Sequence, residues 1–170
     1  MSGASDRFSD CVAFVLKEEG GFTNDPRDPG GATNLGITMA ELAAWRGAAV
    51  STADVQSLQE PEARRIYWAH YWMPCWCAKL PRGLDLMVFD AAVNTGVGHG
   101  VKWLQAAIGV TVDGVIGPKT LAAAASCPIG ETIQAMADAR RDYYRSLRTF
   151  STFGRGWLGR VDRCVAQAIG

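Results

Sequence analysis

No run of about eighteen consecutive apolar residues occurs in the 170-residue chain, so the sequence predicts no membrane-spanning helix and no stable insertion in a bilayer. An excess of one charge is missing too: 17 Lys and Arg balance 17 Asp and Glu. That balance offers nucleic acid no basic footprint. Histidine is scarce, and neither His70 nor His99 lies at ligand spacing from the Cys75-Trp-Cys77 pair, so no metal and no other cofactor is expected. The five cysteines (Cys11, Cys75, Cys77, Cys127 and Cys164) cannot all pair, which fits reduced thiols rather than a disulfide framework. The first residues, MSGASDRFSDC, lack the basic segment and apolar stretch of a secretory signal. These absences predict a soluble protein of one domain, made in the cytoplasm; a monomer is expected, although no residue pattern argues for it.

What is there is helical pattern broken by Gly and Pro. Phe8, Cys11, Val12, Val15 and Leu16 repeat at helical spacing, which predicts an amphipathic helix from about Asp6 to Glu19, stopped by Gly20-Gly21. The period is then lost until Ile37, through Asp25-Pro26, Asp28-Pro29-Gly30-Gly31 and Asn34, where a small hairpin is the most that fits. Thr38 and Glu41 form a capping box ahead of MAELAAWR, and Pro61 opens a helix that runs to Met73. Leu84–Asn94 is apolar on nearly every side, as expected of a helix through the middle of a domain. Further helices are predicted over GHGVKWLQAAIG, from Pro118 through KTLAAAAS, over Glu131–Thr149, and over GWLGRVDRCVAQA. The fold class is all-α dominated, α+β at most, with two lobes about the central helix: 8–85 and 86–170.

Three sets of residues could carry chemistry. A helix advances about 100° per residue, and on that wheel Glu19 points along the apolar face while Glu18 lies roughly 80–90° away. A carboxyl aimed inward is costly unless paired or protonated, and burial raises its pKa toward what a general acid needs. Two simpler outcomes stay open: the helix end frays and Glu19 turns to solvent, or Glu19 pairs with an arginine. Asp25 and Asp28 follow across a glycine-rich turn. Glycoside hydrolysis commonly uses two carboxyl groups, about 5 Å apart for retention and roughly 6.5–9.5 Å for inversion. Asp before Pro is also an ordinary turn starter. Thr33 offers a hydroxyl nearby, Thr38 being occupied as a cap. Asp90 and Asn94 share one face of the central helix, and either open onto a cleft or are satisfied internally, Asp90 by a base and Asn94 as a cap. Tyr67, Trp68, Tyr71, Trp72 and Trp76 include helical i,i+4 pairs, which usually means packing, although sugars also stack on such rings.

EGGFTNDPRDPGGATNLGIT, Glu19 to Thr38, closely resembles the signature of glycoside hydrolase family 108 N-acetylmuramidases, the lysozyme-like enzymes of phages and bacteria also known as secretion activators. The chain keeps the pattern as Glu19-Gly20-Gly21-Phe22, Asp25-Pro26, Gly30-Gly31, Thr33 and Gly36-Ile37-Thr38. FDAAVNTGVGHGVKWLQAAIGVTVDGVIGPKTL resembles the peptidoglycan-binding region of these proteins, and YWAHYW and GWLGRVDR are similar too, so the likeness runs from about Phe8 to Arg163. It implies a lysozyme-like two-lobed helical fold that cleaves the β-1,4 bond between N-acetylmuramic acid and N-acetylglucosamine. It implies that Glu19 is the catalytic acid, with Asp28, Asp25 and Thr33 facing the scissile bond. Asp90, Asn94, Gly31 and Tyr67 are the candidate contacts to the glycan strand. The Glu19-to-Asp28 spacing matches that of phage-type lysozymes, but the threonine is out of step by one, so the second carboxylate stays open. Phe22 stands where many relatives have Tyr, which removes a hydroxyl.

Two rival functions share these residues. A lytic transglycosylase would end in a 1,6-anhydro sugar without adding water, and Asp25 and Asp28 lean against it. A non-catalytic, secretion-assisting wall-binding protein would have no need of Glu19. An enzyme without a signal acts on the wall only after release, so a holin or another export system is expected, as for a phage or prophage endolysin.

Overall fold

Leu84–Thr95 has no polar face to give to solvent, and the other helices pack around it. The computed structural model describes residues 3–24 and 31–170, with side chains from Arg7 onward. In chain order the elements are α1 (Gly3–Glu19), a hairpin of β1 (Thr33–Asn34) and β2 (Ile37–Thr38), α2 (Met39–Arg46), α3 (Thr52–Gln56) and α4 (Glu60–Tyr67). Then come α5 (Leu84–Thr95), α6 (Val97–Ala107), α7 (Pro118–Ser126), α8 (Ile129–Ser146) and α9 (Phe150–Ile169). The described residues are thus mostly α-helical, with one small antiparallel sheet, as the pattern predicts.

Leu84 through Ala92 are all buried, so α5 can pack on every side. On one side α6, α8 and α9 lie against it, and on the other α1 and the segment after α4. α1 contributes Cys11, Val12 and Val15, each fully buried side chain among them worth about 2 kcal/mol of transfer free energy. Phe8 meets Trp68 edge-on at 4.9 Å and Trp72 at 5.3 Å, joining α1 to the end of α4. At the far end of α1, Arg7 donates to buried Asp85 at 2.8 Å, and Asp85 also accepts from the backbone N–H of Gly83 and Leu86 at the start of α5. All five cysteines are free thiols.

Several boundaries differ from those read off the pattern. The helix begun at Glu60 is α only to Tyr67; Trp68–Trp72 form a π turn closed by the Met73 N–H on the Trp68 carbonyl at 3.0 Å. The wider turn keeps Tyr67 and Tyr71 facing the hairpin and α2 while Trp68 and Trp72 stay in the core cluster. α3 was not anticipated, although Ser51 and Asp54 form the same kind of capping box as Thr38 and Glu41. α8 stops at Ser146 and α9 starts at Phe150, so Gly154, Gly156 and Gly159 lie inside a helix. Propensity alone disfavours them there, but tertiary packing outweighs it.

Gly100 shows how closely α5 and α6 approach. A Cβ on it would lie 2.8 Å from the Val88 carbonyl oxygen and 3.1 Å from the Ala92 nitrogen, both backbone atoms with nowhere to go. Gly→Ala inside a helix normally stabilises by about 1 kcal/mol. Overpacking against backbone costs about 1–3 kcal/mol, which outweighs that gain. Gly100→Ala is therefore expected to lower stability in a denaturant titration, and a gain would show that α6 can move away from α5.

Candidate active site

α1 ends in Glu18 and Glu19 because Gly20 takes φ +77, a left-handed backbone that stops the helix cleanly. Both carboxylates meet arginines from α9. Arg163 grips Glu18 with two hydrogen bonds of 2.7 and 2.6 Å, and Arg160 donates from Nη1 to Glu19 Oε1 at 2.7 Å. The pairs differ in their surroundings. Arg163 is 56% exposed, whereas the Arg160 side chain is 8% exposed and that of Glu19 21%. Hydrogen bonding to Arg163 holds the Glu18 carboxyl below its ordinary range, against the opposing effect of burial. The wheel expected Glu19 to be the more covered of the two. Instead Arg163 lies over Glu18, and Glu19 keeps part of its surface while one oxygen is fixed from behind.

What fixes Arg160 is Asp90. This carboxylate is fully buried in α5, accepting from Arg160 Nε at 2.9 Å and from Arg140 Nη1 on α8 at 2.6 Å. Burial alone would raise the Asp90 pKa, but the Arg140 and Arg160 guanidiniums outweigh it and hold it below the usual carboxylate range. Burial likewise opposes the charge on Arg160, yet Asp90 and Glu19 together keep it firmly protonated. The line continues from Arg140 Nε to the Tyr144 hydroxyl at 2.8 Å, and that hydroxyl donates to Asn94 Oδ1. Asp90 therefore has no surface to offer a sugar, which corrects its expected place in a cleft wall; it pairs with bases. Asn94 is partly exposed, but it joins Glu19 only through Tyr144, Arg140, Asp90 and Arg160.

The opposite flank of Glu19 is the hairpin turn. Leu35 at φ +52 and Gly36 at φ +74 connect β1 to β2 in two residues, the backbone of a type I′ turn. A Cβ on Gly36 would lie 2.3 Å from the Tyr67 hydroxyl and 2.6 Å from Glu19 Cγ. The turn thus presses directly on the glutamate. Tyr67 donates to the Leu35 carbonyl at 2.8 Å and is fully buried, so it supports the turn and does not meet a ligand as expected. Tyr71 donates to Glu41 Oε1 at 2.7 Å, while the other Glu41 oxygen accepts from Thr38 in the capping box. Asn34 ties the hairpin to the carbonyls of Val55 and Gln56 at 3.0 and 3.1 Å.

Thr33 sits on β1 with its hydroxyl 2.7 Å from that of Thr23, and the two residues exchange backbone hydrogen bonds of 2.9 Å. Gly31 is half-buried at φ +72. Asp25 and Asp28 lie outside the described residues. Of the residues singled out by sequence, the structure joins Glu19 to Asp90 through Arg160 and sets Tyr67 against Glu19 across Gly36. Arg160, Arg140, Tyr144 and Gly36 were missed as site residues. Gly36 and Arg160 do fall within Gly36-Ile37-Thr38 and GWLGRVDR, stretches already singled out, but nothing in one sequence shows which helix a distant arginine faces.

No group of three or more His, Cys, Asp or Glu able to hold a metal occurs among the described residues. A groove of about 520 Å3 lies near Arg7, Asp10, Arg82 and the chain's last residues, toward the other end of α1 from Glu19. Its arginines are already paired, Arg7 with Asp85 and Arg82 with Asp10.

Residues 12–96 match the family model described as Glycosyl hydrolase 108, and residues 99–162 match the one described as Predicted Peptidoglycan domain. The two matches meet around the end of α5. The chain is similar to the solved structure of SagA from Brucella abortus, with 43% sequence identity and a TM-score of 0.88, covering 97% of this chain and 95% of that one. No match to a curated protein sequence was found.

Asp90→Asn leaves buried Arg140 without its carboxylate partner and Arg160 with Glu19 alone. Breaking a buried pair in this way costs about 3–5 kcal/mol, and a denaturant titration checks it. Folding lowers the Asp90 pKa from its ordinary 3.8, so the stability it contributes is complete above that pH and is lost as pH falls through the lower folded value. The melting temperature of the wild type should accordingly fall more steeply below about pH 4 than that of Asp90→Asn. Parallel acid curves would contradict this.

Proposed function

The chain belongs to the glycosyl hydrolase 108 family, and from that premise we propose that it hydrolyses the β-1,4 bond between N-acetylmuramic acid and N-acetylglucosamine in peptidoglycan, with Glu19 as general acid. The observation that carries this reading is the setting of Glu19: a partly exposed carboxyl at the end of a core-packed helix, fixed through one oxygen by Arg160 and pressed by Gly36.

Glu19 donates its proton to the glycosidic oxygen as the bond from that oxygen to the anomeric carbon breaks. The sugar left behind develops oxocarbenium character; water then adds its hydroxyl to the anomeric carbon, and its other proton passes to a carboxylate of the site, which restores the starting protonation. Proton donation leaves a carboxylate, and the fixed positive charge of Arg160 stabilises it as it forms. Because Arg160 is already held by Asp90, little reorganisation accompanies the step. Asp28 or Asp25 serves as the second carboxylate, orienting water or stabilising the cationic sugar. Thr33 lies on β1, its hydroxyl engaged with that of Thr23. On this reading the enzyme acts on the wall after release from the cytoplasm, through a holin or another export route, as an endolysin does.

Mass spectrometry of soluble fragments released from purified peptidoglycan tests the proposal. The wild type is expected to yield fragments with a reducing N-acetylmuramic acid end. Losing the catalytic acid removes about 2–4 orders of magnitude of rate, so Glu19→Gln should release almost none. Anhydro ends would make the protein a transglycosylase. Unchanged release by Glu19→Gln would remove Glu19 from the chemistry.

A further inference from the structure

Going beyond the cleavage at Glu19, and resting on it, we infer that the face of α9 leading away from Arg160 is a binding subsite for the glycan strand, with Phe153 as its stacking platform and Trp157 behind it. Helix geometry sets the layout. Trp157 lies about 4.5 Å and Phe153 about 10.5 Å along the helix axis from Arg160, and both fall within about 60° of its direction. Starting at the glutamate's own ion-pair partner, that span is comparable with a disaccharide.

The rings form a graded stack. Tyr144, buried and donating to Asn94, lies 5.2 Å from Trp157 with planes 29° apart. Trp157 in turn lies 5.7 Å from Phe153 at 36°. Phe153, at the outer end, is 54% exposed. A large apolar ring left half in water yet backed by a half-buried tryptophan presents a firm flat surface. The apolar C–H face of a pyranose fits such a surface, and aromatic stacking costs little conformational entropy because these rings have few rotatable bonds.

Gly156 is the independent observation. It lies inside α9 without a positive φ, and a Cβ there would meet nothing within 4 Å among the described residues. Neither backbone nor internal packing requires glycine, which disfavours the helix by about 1 kcal/mol relative to Ala. On the wheel Gly156 falls about 40° to one side of Arg160 and Phe153 about 20° to the other. A bare strip of helix therefore runs beside the ring, and a sugar can lie on it edge to backbone while its face meets Phe153.

The occupant is the same β-1,4-linked N-acetylhexosamine strand that reaches Glu19, because these residues lie within two helical turns of Arg160, the partner of Glu19, on the same helix. Chitohexaose, a soluble strand of that linkage, serves as the probe, and calorimetric titration into Glu19→Gln protein reads binding without cleavage. Adding Phe153→Ala should raise Kd about tenfold, equivalent to about 1.4 kcal/mol. Adding Phe153→Trp should keep Kd near that of Glu19→Gln alone, and Gly156→Val should weaken binding by filling the strip. Thermal melts that stay close to the parent identify these as effects on binding.

Equal Kd values for Phe153→Ala and Phe153→Trp would overturn the subsite, as would no measurable binding of chitohexaose to Glu19→Gln. The two readings can fail separately. Wild-type cleavage with binding indifferent to Phe153 removes the subsite alone. Binding that depends on Phe153, in a protein that releases no fragments, upholds the subsite and removes the cleavage.

Discussion

A single buried carboxylate, Asp90, ties α8 and α9 to α5 and, through Arg160, fixes the end of α1. It sits on the most apolar helix of the chain, where an unpaired charge would be untenable. Arg140 from α8 and Arg160 from α9 converge on it, so three helices are tied at one point. Arg160 then reaches past Asp90 to Glu19 at the end of α1. Asp90 lies between the two guanidiniums, and a carboxylate and cations compensated in this way can exist where none of them could alone. Replacing such a cluster by apolar side chains is often neutral or stabilising. Its presence here is better explained by what it positions than by the stability it adds.

The second constraint on Glu19 is steric. The hairpin between Thr33 and Thr38 needs two residues at positive φ, and Gly36 is the one whose bareness also lets the turn touch Glu19 and Tyr67. Tyr67 fixes the turn from beneath, Asn34 fixes it from the side, and Thr23 and Thr33 pair across its base. The glutamate is thus held electrostatically by α9 and sterically by the hairpin, two elements far apart in sequence. Such over-determination keeps the Glu19 carboxyl in one geometry.

Much of this was legible from local pattern. The apolar stripe of α1, its glycine stop, the Thr38–Glu41 box and the all-round apolar α5 each follow from side-chain chemistry within a few residues, and each is observed. Placing Glu19 at the helix end was also a local inference. Its partner was not, because Arg160 lies 141 residues away and only packing decides that α9 crosses α1 there. The same reason explains Asp90 and Tyr67. Their spacing marks them as polar groups on buried faces, but whether such a group faces a cleft or an internal partner depends on helices elsewhere in the chain. The π turn after Tyr67 is a compromise between two aromatic faces that no propensity encodes.

The most direct test is a double-mutant cycle on stability between Glu19→Gln and Arg160→Met. If Arg160 is the fixed partner that holds Glu19, the two changes should couple by about 1–3 kcal/mol. Additivity to within about 0.5 kcal/mol would mean that the ion pair does not hold the glutamate, and the site would lose its organising contact.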